Sequence, residues 1–224
     1  MKIIMFSVHQ GELEAINAYE KRNNLSISQV NELLNENSVD LVKGYDVLCI
    51  QQSNAVDKEI IYTSSNIEAN NLAILGLIEK HTNKDISIVA DKYFSYILDN
   101  VDIKITYFNS IEEIDDLISS NTILVCVRDI DYVKNNNYSY LVLGDLTDNF
   151  NFDVDLNKFD FISLSSFTFD SKLDIGCLIK NKNIVIEPLL HGGNSTTIYR
   201  SGTPALPFIV SFAKSIKLSI EKHD

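Results

Sequence analysis

Short β-branched and aromatic runs alternate with segments of helical spacing along almost the whole chain, and this alternation limits the fold more than any other feature. Lys2 to Val8, Leu25 to Val30 and Tyr45 to Gln51 read as strands, separated by helical segments over Glu12 to Asn23 and Val39 to Lys43. Strands that alternate with helices at this length imply a small parallel α/β unit, assigned to residues 1–58. Residues 59–224 continue the pattern with strands near Ile60, Ile86 to Val89, Ile103 to Phe108, Ile123 to Val127, Tyr140 to Leu143, Phe159 to Leu164 and Ile175 to Ile179. The expected architecture is α/β: a mixed, mostly parallel central sheet flanked by helices, with the small N-terminal βαβ unit adding strands or packing as a neighbour.

Helix signals support this division. Ser65 and Glu68 have capping-box spacing, and Leu72, Leu75 and Ile78 supply an apolar stripe to the helix they open. Ser110 and Glu113 form a second box, opening a helix that ends near Ser119; its Glu112, Glu113, Asp115 and Asp116 read as a solvated face. Tyr93 to Leu98 is a shorter helical segment, and Asn135-Asn136-Asn137 marks an exposed turn. A last helix runs from about Leu206 to Lys222, with Ile209, Phe212, Ala213 and Ile216 on one face. Before it, Thr203 can cap, while Pro204 and Pro207 restrict the entry.

Composition removes several functions. The formal net charge of −12 disfavours nucleic acid and anionic membranes, which require a basic patch. No apolar run approaches the ~20 residues of a membrane span, and Met1 to Phe6 is too short for a signal peptide, so a cytoplasmic location is expected. Cys49, Cys126 and Cys177 are dispersed in apolar runs without a C-x-x-C pair, which implies free buried thiols and no zinc site. None of the eight glycines forms a G-x-G, so no Rossmann turn exists, and P-loop, H-E-x-x-H and G-x-S-x-G signatures are absent. His9, His81 and His223 read as surface histidines, His191 as a residue of a glycine loop, and Lys172 as a surface lysine in a turn.

Two resemblances lie in the wording of the chain. The opening, MKIIMFSV to NELLNENSVDLVKGYDVLCIQQ, resembles the start of D-lactate-type 2-hydroxyacid dehydrogenases. From about residue 60 the chain resembles the cysteine desulfurases, pyridoxal-phosphate enzymes of the class V aminotransferase group. Ile60 to Ile74 is similar to that family's T-S-G-x-T-E-x-N-N-L-A-I segment, and His191-Gly192-Gly193 with Arg200-Ser201-Gly202-Thr203-Pro204 resembles one of its loops. Ser163-Leu164-Ser165-Ser166-Phe167-Thr168 falls on S-x-S-x-His-Lys, whose lysine holds the cofactor as a Schiff base.

The resemblance implies a site with many departures. Asp145 takes the position of the carboxylate under the pyridine nitrogen, Ser165 a phosphate-contacting position, and Thr203 a position reaching a partner subunit's phosphate. Thr168 replaces the lysine, and a hydroxyl cannot form an imine. Phe167 replaces a histidine, and Asp91 falls near the stacking histidine. Asp148 replaces a glutamine at the ring hydroxyl, where a second anion is repulsive. Asn66 and Ile67 replace the small residue and threonine of the phosphate cradle at a helix N-terminus. The C-terminal domain with the catalytic cysteine has no counterpart, so the chain reads as truncated.

No bound cofactor is therefore expected. The leading expectation is a non-catalytic, desulfurase-like pseudoenzyme that forms a homodimer or pairs with a genuine desulfurase, with Arg200, Thr203, Phe208 and Phe212 as interface candidates. The alternatives are non-covalent binding of pyridoxal phosphate or another small anion through Asp145, Ser165 and Thr203, an enzyme with an altered site, or a folded remnant.

Overall fold

The computed structural model describes residues 2–6, 17, 21, 26–30, 47–50, 58–81, 85–193, 197–203 and 205–223. The N-terminal strands β1 (Lys2–Phe6), β2 (Ser26–Val30) and β3 (Val47–Ile50) form a parallel sheet in the order β2-β1-β3. This sheet is separate from the main one, so of the two expected arrangements the segment does not add strands to the central sheet. Asn17 and Lys21 are helical, as expected for Glu12 to Asn23, while the short helix expected over Val39 to Lys43 lies outside the described residues.

The main sheet contains β4 (Lys58–Thr63), β5 (Ser87–Asp91), β6 (Lys104–Phe108), β7 (Thr122–Val127), β8 (Leu141–Asp145), β9 (Phe161–Ser165) and β10 (Gly176–Asn181). Its order is β4-β10-β9-β8-β7-β5-β6, and only β10 runs antiparallel to its neighbours. The carboxyl ends of β4, β5, β7, β8 and β9 therefore share one edge. In open α/β sheets this edge is where ligands bind.

Side chains alternate between two apolar clusters. Val89, Val125, Val142 and Ile162 face one, and Ile88, Leu124, Leu143 and Phe161 face the other, because successive residues of a strand point to opposite faces. Near-continuous burial of β5, β7, β8 and β9 is what a parallel sheet covered on both faces requires.

Helix α1 (Asn66–Lys80) covers one face. Its first capping box forms: Ser65 Oγ accepts from Glu68 N at 3.4 Å, while the Glu68 carboxylate accepts from Ser64 N at 2.6 Å. The buried stripe differs from the expected one. Ala69, Asn70, Leu72, Ala73, Ile74, Gly76 and Leu77 are buried, whereas Leu75 and Ile78 pack only partly. The reason is a second covering layer: Glu187 N donates to Gly76 O at 2.9 Å, and Ile186 joins the same cluster, so α1 is enclosed from two sides.

Short helical turns follow at α2 (Ser95–Leu98) and α3 (Ile114–Leu117), each entered through a 3₁₀ turn. The second capping box forms only by half. Glu113 Oε2 accepts from Asn109 N at 3.1 Å, but Ser110 bonds the Glu112 carboxylate instead of capping.

On the opposite face lies α4 (Leu206–His223), with Ile209 and Phe212 buried and Ala213 and Ile216 packed against the core, as its spacing predicts. Phe212 meets Phe169 at 5.7 Å between ring centroids, and Phe150 and Phe152 extend the aromatic layer. Ala205, not Thr203, supplies the first helical acceptor: its carbonyl takes the N–H groups of Phe208 and Ile209 at 2.9 and 3.1 Å. Cys126 and Cys177 are free and buried, and burial pushes the Cys177 thiol up to about 12. Among the described residues, no helix is long and apolar enough to cross a membrane.

Candidate functional site

The carboxyl edge of the main sheet gathers Asp91, Arg128, Asp145 and Ser165, together with the start of α1. Asp145, the last residue of β8, is 2 % exposed. Its Oδ2 accepts from Asn70 Nδ2 at 2.7 Å and Asn66 Nδ2 at 3.2 Å, and its Oδ1 from Thr147 N at 3.1 Å. Three charge-assisted bonds compensate its burial, so the carboxylate is held internally. Asn70 also donates to Tyr96 Oη at 3.0 Å, while its own Oδ1 is buried without a hydrogen-bond partner.

Thr168 lies over the same turn. Its hydroxyl donates to the Thr147 carbonyl at 2.9 Å, joining the turn after β9 to the turn after β8. Ser165 Oγ donates to Asp174 Oδ1 at 3.1 Å and accepts from Phe167 N at 3.2 Å, so it caps its own 3₁₀ turn. Phe167 and Ile67 are 60 % and 52 % exposed; neither fills a cavity between Asp145 and Thr168. Thr203 is exposed on the loop before α4. The retained trio of Asp145, Ser165 and Thr203 thus forms no common set of described hydrogen bonds.

Two of the departed positions, Asp91 and Asp148, are by contrast brought together by one arginine. Arg128, immediately after β7, places Nε 3.7 Å from Asp91 Oδ2 and Nη1 3.6 Å from Asp148 Oδ2. Its guanidinium stands 4.5 Å from the centroid of the Tyr93 ring, a cation–π contact. Burial, and next the Asp145 carboxylate, raise the Tyr93 phenol above its ordinary pKa against the opposing effect of Asn66. Tyr93 therefore links the arginine group to the Asp145 group. Sequence reasoning missed Arg128, Asn70 and Tyr93 as site residues, and it read Asn66 only as a lost phosphate contact. The available signal was position, since Arg128 directly follows an apolar strand and so falls at the ligand edge of an α/β sheet.

Arg200 does not face solvent freely either. Its Nε donates to Glu68 Oε1 at 3.0 Å, across the start of α1. Burial alone would raise the Glu68 carboxyl; the bonds from Arg200 and Ser64 outweigh it and hold the pKa below 4.5. The pair borders a cleft of about 310 Å³ that also includes Leu72, Leu189 and Tyr199, and whose lining contains none of Asp145, Ser165 or Thr168. Because the folded pKa lies below the unfolded value, stability from this pair is present above pH 4.5 and lost as pH falls through the folded pKa. Arg200→Ala is expected to destabilise by about 1 kcal/mol at neutral pH, with the difference vanishing in acid. Denaturant melts of both proteins across that range measure it; a constant difference would show that the pair does not titrate as described.

These residues do not fit pyridoxal phosphate. No amine stands at position 168, both Asp145 oxygens are engaged, and a cation bridges the two carboxylates Asp91 and Asp148.

The fold is nonetheless that of a known class. A NifS-like protein superposes with a TM-score of 0.62 at 22 % identity, covering 73 % of this chain and 53 % of that one. DndA from Streptomyces lividans gives 0.61 at 19 % identity, with 73 % and 56 % covered. The mixed, mostly parallel seven-stranded sheet with its helices is therefore that of the pyridoxal-phosphate-dependent transferases.

Sequence relatives narrow the class. A putative cysteine desulfurase IscS 1 of Bacillus subtilis is 28 % identical over 200 residues, 76 % of this chain and 52 % of that protein. The cysteine desulfurase IscS of Clostridium botulinum is 27 % identical over 197 residues, with 75 % and 50 % covered. About three quarters of the chain is thus similar to cysteine desulfurases, and the chain spans about half the length of these relatives. No protein-family model matches it.

Proposed function

We propose that this chain is a non-catalytic, cysteine desulfurase-like protein that acts by binding and not by sulfur transfer. The observation that carries this reading is the Thr168 hydroxyl, bonded to the Thr147 carbonyl at 2.9 Å where the related enzymes are expected to present a lysine. An alcohol cannot condense with an aldehyde to an imine, and among the described residues no amine is hydrogen-bonded at that turn. The engaged Asp145 carboxylate supports the same conclusion, since both of its oxygens already accept hydrogen bonds from within the chain, Oδ2 from Asn66 and Asn70 and Oδ1 from Thr147.

The binding partner in this reading is a second copy of the chain or a genuine desulfurase, met in the cytoplasm. Exposed apolar side chains support a protein surface: Ile67 and Phe167 at the ligand edge, Ile198 on the loop beside Tyr199, and Phe208, Leu218 and Ile220 on α4. Phe212, in contrast, is buried within the chain's own core.

Purified protein incubated with pyridoxal phosphate is expected to give no visible absorption band, no borohydride-stable label and no sulfide or alanine from cysteine. Appreciable turnover would overturn the reading. Sedimentation and affinity capture with a desulfurase test the partner; a monomer that ignores the desulfurase removes that part.

A further inference from the structure

We propose that the cleft beside the Glu68–Arg200 pair is a binding site for a free α-amino acid with an apolar side chain. The proposal rests on the reading of this chain as a binding protein and adds a small-molecule ligand to it. The cleft measures about 310 Å³, at the lower end of what small-ligand sites enclose. Leu72, Leu189, Leu190 and Tyr199 form its apolar wall, and Glu68 and Arg200 are its charged members. Leu72 and Tyr199 are buried in the core, while Leu190 stands as an exposed lip. The wall is fixed before any ligand arrives. Glu187 N, bonded to Gly76 O at 2.9 Å, ties the segment that carries Leu189 to α1. Ser201 N donates to Leu190 O at 3.3 Å, and the Lys180 ammonium holds the Tyr199 ring at 4.4 Å. A preformed wall spares the ligand the cost of ordering it.

The charge pattern selects the ligand. Arg200 Nε stands 3.0 Å from Glu68 Oε1, so a cation and a carboxylate line the cleft side by side. A singly charged ligand that pairs with one of them is repelled by the other at nearly the same range. A zwitterion meets both with the opposite sign. An α-amino acid carries its ammonium and carboxylate on one carbon, close enough together to address the two at once. Both side chains keep hydrogen-bonding capacity for it. Oε1 of Glu68 accepts from Arg200 and Oε2 from Ser64 N, and each oxygen has a second lone pair, while the guanidinium carries further donors besides Nε. The side chain of the amino acid then lies against the leucines and Tyr199, where burying apolar surface is favourable.

Isothermal titration of the unaltered protein with L-leucine tests the site, against isocaproate, which lacks the amine, and isoamylamine, which lacks the carboxylate. Leucine is expected to bind one-to-one, and each fragment at least about tenfold more weakly. Arg200→Ala and Glu68→Gln are each expected to weaken leucine by at least about tenfold. Leu190→Asp, at the exposed lip, is expected to do the same with an unchanged melt. Thermal melts establish that the variants are folded; should one of the ion pair fail, Leu190→Asp and the fragment series carry the decision. Absence of leucine binding, fragments that bind as tightly as leucine, or Leu190→Asp without effect overturns the proposal. Sulfide release from cysteine by the unaltered protein counts instead against the non-catalytic reading, so the two failures are separable.

Discussion

Lys180→Ala is expected to destabilise the protein by about 4 kcal/mol and Lys180→Met by about half of that. The Lys180 side chain is 0 % exposed, although it sits one residue from the end of β10. Its Nζ donates to Ile184 O at 2.7 Å and Asn181 O at 3.3 Å and pairs with Glu59 Oε1 at 3.3 Å. The ammonium also stands 4.4 Å from the centroid of the Tyr199 ring. Alanine removes both the buried methylene stem and the donor, leaving a cavity and unpaired carbonyls. Methionine refills the volume, so its remaining deficit measures the polar part alone. Glu59 is partly exposed on the edge strand β4 and can turn toward water, which keeps that remainder moderate.

The pH dependence of the same pair of variants has a defined sign. Burial lowers the Lys180 pKa from 10.5, against the raising effect of Glu59. Between the folded pKa and 10.5 the unfolded chain binds more protons, so the unaltered protein gains stability as pH rises through that window. The methionine variant lacks this gain. Its deficit is therefore expected to widen toward alkaline pH, while tyrosine and cysteine titrations common to both proteins cancel. A deficit that stays constant or narrows would show that the amine is not desolvated in the folded state.

Lys180 also shows why part of the structure was illegible in the sequence. A lysine near the end of an apolar run reads as the exit of a strand to solvent. It is buried here because the segment after β10 folds back over it, bringing the Ile184 carbonyl and the Tyr199 ring to its ammonium, and a one-dimensional pattern holds no record of that return. The pairing of Arg128 with Asp91 and Asp148 was hidden for the same reason: it depends on strand order, which the sequence does not state. Local features were legible because their causes are local. Ser65 and Glu68 meet within the first turn of α1, and the Ile209 and Phe212 face of α4 follows from helical spacing alone. Asp145 was found by resemblance, but its engagement by Asn66 and Asn70 required the placement of α1 against β8.

That placement depends on Gly176, and Gly176→Ala is expected to lose about 3 kcal/mol, at the upper end of overpacking substitutions. A Cβ at this position would lie 2.1 Å from Ser65 C, 2.3 Å from Ser65 O and 2.6 Å from Asn66 N. All three are backbone atoms, so no rotamer change can relieve the contact. Gly176 pairs with Thr63 on one side and Ser165 on the other, which leaves the strand itself little freedom to withdraw. The start of α1 must move instead. Its displacement would draw Asn66 from Asp145, where the bond is already 3.2 Å, and loosen the capping turn that Glu68 shares with Arg200. The melting temperature is expected to fall by roughly 6–12 °C for a chain of this size. Gly193→Ala is the matched control: a Cβ there meets nothing within 4 Å, and its melt is expected to be unchanged. If the two variants melted alike, α1 would not rest directly on β10, and the hydrogen bonds that hold Asp145 inside the sheet edge would need another support.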